Sequence, residues 1–329
     1  MRVFAFALCL LFMLAQPGYA QLRPMSDNEL AQISGQGLIN LLTSSSGDTT
    51  FQRITFGVDL ATQLNMQQLN LGLYDRSGTS IGNDILINNF ALGTVNADGS
   101  ISAFQISQPY VEYAYEGGQV VGVRIGFTES KGVLSGDIKS LSGNVNVAFS
   151  GSAQAVYDKA NIIQQAVLTL GGIYNTSTLS GTATLVDSSG NANSVRATQA
   201  GIVNGDGLTC TSGCLPIISS AALALVTSSN CSLLGIGTCF SLSQFQSLNI
   251  GNTSIADNAS TKAIEGAAQD FFISLQSKNV NWKSVTSGEV ISALAGAFIN
   301  LPTINLTLAQ ALNGTTRQDT CLGSAVKGC

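Results

Sequence analysis

Apolar and polar residues alternate through much of the chain, and an alternation with a period of two indicates β-strands with one buried face. Residues 50–60 and 64–74 show this pattern in rough form. Residues 109–127 alternate on both sides of Gly117-Gly118, a glycine pair that suits a tight turn, so this stretch predicts a β-hairpin. Residues 179–197 predict a second hairpin, with its turn at a Ser-Ser-Gly sequence.

The last third of the chain combines strand and helix patterns. Residues 263–276 begin with a helical pattern and pass into an alternating strand. Residues 287–301 fit either a short helix or a strand bent at Gly296. Residues 304–312 alternate strictly at first, which predicts a closing strand or the start of a short helix.

The first twenty residues have the organisation of a secretory signal peptide. Arg2 supplies a positive charge, an apolar run occupies residues 3–15, and small residues precede the expected cleavage site. The run is shorter than the roughly 20 residues that span a bilayer. Cys9 would suit a lipoprotein only if a small residue replaced Leu8 before it. We therefore expect an exported mature chain that begins at Gln21.

A short amphipathic helix is predicted directly after the leader. Ser26 and Glu29 have the spacing of a capping box, Met25 and Leu30 have that of a hydrophobic staple, and Gly35 supplies a C-terminal stop. Two turns are not stable alone, so the apolar side must dock on another part of the protein. We expect it to cap a β edge, either as a permanent lid or as a gate for another subunit. The residues of this capping motif are Met25, Ser26, Glu29, Leu30, Ile33 and Gly35.

These patterns together predict a mainly β protein, an elongated β-solenoid or β-roll-like stack with short helices near both ends. Frequent Gly, Asn, Ser and Thr suit stacked strands, although no exact sequence period is present. A two-sheet β-sandwich is the alternative. The predicted organisation is a signal peptide (1–20), an N-terminal capping helix (21–36), a β-rich domain (37–200) and a disulfide-containing C-terminal β/α region (201–329) continuous with the β domain.

The composition supports β-structure and excludes one class of partner. Charged residues make up 10% of the chain and hydrophobic residues 45%, so the polar remainder is mostly uncharged. With Arg2 removed, 13 basic residues face 19 acidic ones, which gives a mature net charge of −6. Such a surface has no electrostatic attraction for nucleic acid or anionic lipid. We expect no nucleic-acid partner and no stable membrane insertion of the mature chain.

Six cysteines follow the leader, all of them after residue 200. An even number in an exported chain indicates disulfides, and six cysteines allow 15 connectivities. Proximity in the sequence favours three disulfides, each between neighbouring cysteines, which we call clamps. A zinc site is the poorer interpretation, because the chain has no histidine and the expected compartment is oxidising. The candidate pairs are Cys210–Cys214, Cys231–Cys239 and Cys321–Cys329.

The absence of histidine from the sequence also restricts catalysis. A nucleophile with a histidine base cannot be built, which leaves carboxylate chemistry. Glu112, Glu116 and Glu129 are the closest acidic set in the strand-rich part, and two carboxylates can cleave a glycosidic bond. Sugar-cleaving sites usually add several aromatic platforms, whereas Trp282 is the one tryptophan. We predict no catalytic, cofactor-binding or metal-ligating residues and no cofactor.

Three stretches in the same order resemble a family of exported Gram-negative proteins. They are "MSDNELAQISGQGL" at residues 25–38, a central block at residues 87–145 that ends in "SLSGNV", and residues 270–312 from "DFFISLQSKNVNW" to "INLTLAQAL". Members of this family are pilus-system or filament (Fil-type) proteins, or carry only the description of a domain of unknown function. The cysteines after residue 200 depart from the pattern.

The resemblance implies an exported, non-enzymatic structural protein of the cell surface. It would be a pilus or filament-type subunit or an associated adhesin, and would reach the surface or the medium through the periplasm. Its expected partners are further copies of itself or other surface-assembly subunits. The alternative is a secreted glycan-binding module or a carboxylate-dependent glycoside hydrolase.

Overall fold

The computed structural model of the protein describes residues 38–76, 81–215, 227–258 and 264–320. The predicted signal peptide and capping helix lie outside the described residues, and so do Cys321 and Cys329. The described β-structure belongs to the unit that begins at Ile39. It is mainly β and contains several sheets, as predicted.

The strands of the first half of the chain are β1 (Ile39–Ser46), β2 (Thr49–Phe56), β3 (Asp59–Thr62), β4 (Leu64–Tyr74), β5 (Gly82–Leu92), β6 (Thr94–Val95), β7 (Ile101–Ser102), β8 (Phe104–Glu116), β9 (Gln119–Ser140), β10 (Gly143–Asn144) and β11 (Val147–Ser152). Those of the second half are β12 (Thr178–Val186), β13 (Gln199–Gly201), β14 (Thr209–Ser212), β15 (Ser232–Leu233), β16 (Ile236–Gly237), β17 (Cys239–Ser241), β18 (Ser247–Ile250), β19 (Ala268–Gln276), β20 (Val280–Lys283), β21 (Val290–Ala293), β22 (Gly296–Asn300) and β23 (Ile304–Thr307).

The helices of the described residues are short. Their bounds are α1 (Gln154–Tyr157), α2 (Ile162–Leu170) and α3 (Leu308–Asn313), and a single 3₁₀ turn covers Leu242–Gln244. Asn161 and Gln164 form a reciprocal capping box at the start of α2, and Thr307 and Gln310 form one at α3. Each box satisfies backbone N–H groups that the first helical turn leaves unpaired.

The main sheet has the strand order β1-β2-β8-β9-β19-β22-β10, and β3, β5 and β18 join it at the sides of β8 and β9. The 22-residue strand β9 runs through its centre. The first half of β9 pairs with β8 and β19, and the second half pairs with β5 and β18. The partners change at Gly132, where φ is +144° and an added Cβ would lie 2.9 Å from the Phe104 ring. One long strand thus joins two groups of neighbours.

A second sheet has the order β17-β13-β12-β11-β23, with β14 also paired to β12. The two sheets pack against each other through one hydrophobic core. Ile85, Leu134 and Ile299 of the main sheet belong to the same buried cluster as Leu185 and Ala200 of the second sheet. No repeating coil is present in the described part of the chain, so the solenoid or roll is not confirmed.

The predicted hairpins and strands agree in part with those of the structure, and the residues at the turns account for most of the agreement. The first hairpin forms as β8 and β9, and both of its turn glycines, Gly117 and Gly118, have positive φ. The second forms only in part, because Val186 makes a single bridge to Ala192 and β12 then pairs with β13. Residues 287–301 adopt strands rather than a helix, and Gly296 begins β22 with a φ of +104°. Residues 304–312 form strand β23 and then most of helix α3, so this stretch contains both the strand and the helix that its pattern allowed.

Strands that follow residue 200 join both of these sheets. Strand β19 pairs with β9 in the main sheet, and β23 pairs in parallel with β11 in the second sheet. Both sheets therefore contain strands from either side of residue 200.

Candidate interaction surface

A continuous row of aliphatic side chains crosses one face of the main sheet. The register of β1, β2, β8, β9, β19 and β22 places one residue of each strand in this row. Its inner end is buried in the core, since Ile299 is 1% exposed, whereas Leu41 at the outer end is 73% exposed. We call it the apolar row; its members are Leu41, Ile54, Val111, Ile125, Ile273 and Ile299.

The rows on either side of the apolar row also contain apolar side chains. Ile39 pairs with Phe56 at the edge of the sheet, and both side chains are exposed. Tyr113, Val123 and Leu275 form the next row along the strands. We call these five residues and the apolar row together the apolar face. In the part of the chain that the structure describes, no element covers its outer half.

The opposite face of the same strands carries buried charges. Arg53, Glu112 and Arg124 occupy neighbouring positions on β2, β8 and β9, and their exposed fractions are 9%, 2% and 0%. The hairpin of β20 and β21 covers them with Trp282, which is itself fully buried. We call these three residues the buried charge row.

Hydrogen bonds and aromatic rings hold the buried charge row. Arg53 Nε donates to Glu112 Oε1 at 3.2 Å, and Arg124 forms an ion pair with the other oxygen of the carboxylate. Arg124 also donates to the carbonyl oxygen of Lys283 at 2.6 Å. Its guanidinium lies 4.9 Å from the centroid of the Trp282 ring, so the cation is also stabilised by π electrons.

Tyr110 lies beside these charges and contributes a ring to the same site. The guanidinium carbons of Arg53 and Arg124 lie 5.6 and 5.3 Å from its ring centroid. Burial is the main cause that raises the pKa of Tyr110 to about 12, against the lowering effect of Arg124. The phenol is therefore neutral at physiological pH and acts as a packing surface for the two cations.

Both faces of these strands are thus largely apolar, and they differ in what covers them. A half-buried sheet usually places apolar side chains against the core and polar ones in solvent. Here the charged face is covered by the Trp282 hairpin, while the aliphatic face opens to solvent towards β1. Large exposed apolar patches in proteins mark interaction sites.

A second buried carboxylate, that of Asp84, links residues near the end of β4 to the start of β22. Asp84 is fully buried, and its oxygens accept from Arg76 Nε at 3.0 Å, Arg196 Nε at 2.9 Å and the Ala297 backbone N–H at 2.9 Å. Burial alone would raise the pKa of Asp84, but these three donors lower it below its ordinary value. Gly296 lies so close to this carboxylate that any Cβ there would collide with it.

Two of the three predicted cysteine clamps lie within the described residues, and both are present. Cys210 and Cys214 form a disulfide with Cα atoms 6.5 Å apart, and Cys231 and Cys239 form another with Cα atoms 5.0 Å apart. The third pair, Cys321 and Cys329, lies outside the described residues. So do all members of the capping motif, Met25, Ser26, Glu29, Leu30, Ile33 and Gly35.

The carboxylates considered for glycosidic cleavage do not come together. Glu112 is buried between two arginines, and Glu116 accepts hydrogen bonds from Thr49 and Lys278 at the end of β8. Glu129 belongs to the face of β9 opposite to that of Arg124, so the sheet separates it from Glu112. Among the described residues no group of three acidic or cysteine side chains is arranged to hold a metal ion.

Comparisons with known proteins found no match to this chain. No protein-family model, no curated protein and no solved structure matches the chain. The resemblance to pilus-system and filament proteins therefore stays a prediction. Separately, none of the helices in the described ranges is long and apolar enough to cross a membrane.

Proposed function

We propose that this protein is an exported, non-enzymatic structural subunit of the cell surface, of the pilus or filament type or an associated adhesin, and that copies of it associate through the apolar face. The observation that carries the proposal is the apolar row, which leaves the core at Ile299 and reaches the open sheet edge at Leu41. Burial of this row against a second subunit would remove large aliphatic side chains from water.

The edge strand supports association by strand pairing. Among the described strands β1 pairs only with β2, so its outer edge is free for most of its length. Natural edges are usually protected by charges, proline or bulges, yet residues 38–46 contain neither a charged residue nor proline. Lys283 donates to the Ser45 carbonyl oxygen and so occupies only the C-terminal end of this edge.

A second copy fits this edge because the strand can pair with itself. A two-fold axis requires β1 to lie antiparallel to its own copy, and such an interface uses the same patch on both subunits. With Asn40 on the axis, Ile39 would lie opposite Leu41 of the second copy. The two apolar faces would then form one continuous surface, which a further copy can bury by packing face to face on it.

The experiment compares two face variants with one control by sedimentation velocity over a dilution series. Wild type should associate as its concentration rises. Leu41→Asp disturbs the strand joint and Ile125→Asp the face-to-face contact, so both variants should associate less than wild type, since a charge cannot be buried unpaired. Ile162→Asp replaces an 84% exposed side chain on α2 and should behave like wild type. Cells that produce wild type should carry surface fibres that cells with Ile125→Asp lack.

Two results would overturn the proposal. One is a wild-type protein that stays monomeric at every soluble concentration and leaves no fibres on cells. The other is equal loss of association in Ile125→Asp and Ile162→Asp, which would mean that any added charge disrupts it. If wild type associates only with a different surface protein, the partner of the apolar face is that protein and not a second copy of this chain.

A further inference from the structure

The outer face of the second sheet contains a polar groove with a volume of about 550 Å³. Two rows of small side chains form it: Asn305, Ala148 and Thr182 lie side by side, and so do Ser150, Ser180 and Thr209. Asp206 and Gly207, in the loop before β14, form a wall. The volume falls within the range of small-molecule sites, which is roughly 300–1,000 Å³.

The polar lining is neutral apart from one carboxylate. Ser150, Ser180, Thr182, Thr209 and Asn305 each offer both a donor and an acceptor. Within the described residues these side chains and the Asp206 carboxylate bond no other side chain, and no lysine or arginine lines the groove. In the free protein water satisfies them, so a ligand must bring hydroxyl groups of its own to replace that water.

We propose that this groove binds a short stretch of a neutral saccharide. Adjacent strands lie about 4.8 Å apart and alternate residues of one strand about 7 Å apart, so the side chains form a regular grid of hydroxyl groups. A chain of sugar rings can exchange hydrogen bonds with several points of this grid. Asp206 accepts from two hydroxyl groups and disfavours an anionic ligand. Ala148, between Asn305 and Thr182, leaves room for a ring to approach the sheet.

The binding is weak and depends on hydrogen bonds. The groove lacks an exposed aromatic platform among its described lining residues. Each hydroxyl contributes a modest part of the affinity, since ligand hydrogen bonds replace those of water. This site lies on the second sheet, whereas the apolar face belongs to the main sheet, so saccharide binding does not rest on self-association.

The test uses the full mature chain and saturation-transfer NMR with maltotriose, cellotriose, mannotriose and N-acetyllactosamine as probes, and a heparin tetrasaccharide as the anionic comparison. At least one neutral probe should bind, and the heparin fragment should not. Thr182→Val keeps the side-chain shape and removes one hydroxyl, so it should weaken that binding about two- to tenfold. Asp206→Asn should weaken it by a similar factor. Thr184→Val, on the same strand and face but outside the groove, should leave it unchanged.

Three results would overturn the proposal: no binding of any neutral probe, binding of the heparin fragment alone, or equal effects of Thr182→Val and Thr184→Val. Thermal unfolding of each variant verifies that it is folded before its binding is compared. Ile125→Asp should bind the same saccharide as wild type even when it no longer associates. Failure of self-association and failure of saccharide binding are thus separate results.

Discussion

At the residue scale, Arg124 is the side chain on which the covered face of the main sheet depends most. It is fully buried, forms an ion pair with Glu112 and lies against the rings of Tyr110, Phe272 and Trp282. Arg124→Ala would leave Glu112 buried with Arg53 as its one remaining cation. We expect the free energy of unfolding to fall by about 3–5 kcal/mol, the usual result of breaking a buried pair.

Urea denaturation followed by the fluorescence of Trp282, the single tryptophan, measures this change directly. Lys278→Ala is the matched control, because its ion pair with Glu116 is at the surface and its side chain is 48% exposed. That variant should lose less than about 1 kcal/mol. An Arg124→Ala variant as stable as Lys278→Ala would show that Glu112 does not need its second arginine.

Asp84 is expected to make stability depend on acid pH. Hydrogen bonds from Arg76, Ala297 and Arg196 hold its pKa below the ordinary value of 3.8 despite the opposing effect of burial. A depressed pKa contributes stability that is complete above the unfolded pKa and is lost as pH falls through the folded one. Wild type should therefore lose stability below about pH 4.

Asp84→Asn removes that dependence together with the ion pairs that Asp84 forms with Arg76 and Arg196. The variant should be less stable than wild type by about 3 kcal/mol at pH 7. Its stability should fall less between pH 7 and pH 3 than that of wild type. Urea midpoints at several pH values measure both effects, with Asp48→Asn in the exposed turn after β1 as the control. Parallel curves for wild type and Asp84→Asn would contradict this assignment.

The sequence shows which residues share a face but not which face is covered. The alternation of Val111 and Tyr113 with the residues between them correctly predicts two faces for β8. The burial of Glu112 does not follow from that alternation, because isolated carboxylates seldom enter a core. The partners that make its burial tolerable, Arg53 and Arg124, come from β2 and β9, and their positions depend on strand register. No local pattern contains that information.

At the scale of elements, the disulfides are the clearest local clamps. Cys210–Cys214 and Cys231–Cys239 close loops of 4 and 8 residues in sequence separation. Loop-closure entropy predicts about 2–3 kcal/mol of stabilisation for each. Cys231→Ala with Cys239→Ala should therefore lower the urea midpoint clearly, and reduction of wild type should produce a similar loss.

Intact mass measures the number of clamps. Reduction should add four hydrogens for the two disulfides of the described residues, and six if Cys321 and Cys329 are also paired. Alkylation without prior reduction should label none of the four cysteines of these two disulfides, Cys210, Cys214, Cys231 and Cys239. Labelling of any of them in the native, unreduced protein would contradict the pairing.

Elements set by neighbouring residues were predictable, and those set by distant partners were not. The hairpin of β8 and β9 follows from Gly117-Gly118, where both residues need positive φ. The expected solenoid rested on composition, which favours strands but does not select the strands that pair. In the structure β9 pairs with β19, more than one hundred residues further along the chain. Such long-range antiparallel pairing leaves no period in the sequence.

At the scale of the whole molecule, the remaining question is what covers the apolar face, and hydrogen–deuterium exchange at two protein concentrations answers it. If a second copy covers it, amides of β1 should exchange more slowly at high concentration, because pairing of this edge protects them. Amides of β12, remote from this face in the sheet order, should not change.

The predicted capping segment is the competing occupant, since Leu30 and Ile33 precede β1 by only a few residues. Its docking within one chain would protect β1 equally at both concentrations, and Leu30→Asp with Ile33→Asp would then remove the protection. Slow exchange that neither dilution nor this double substitution alters would exclude both occupants.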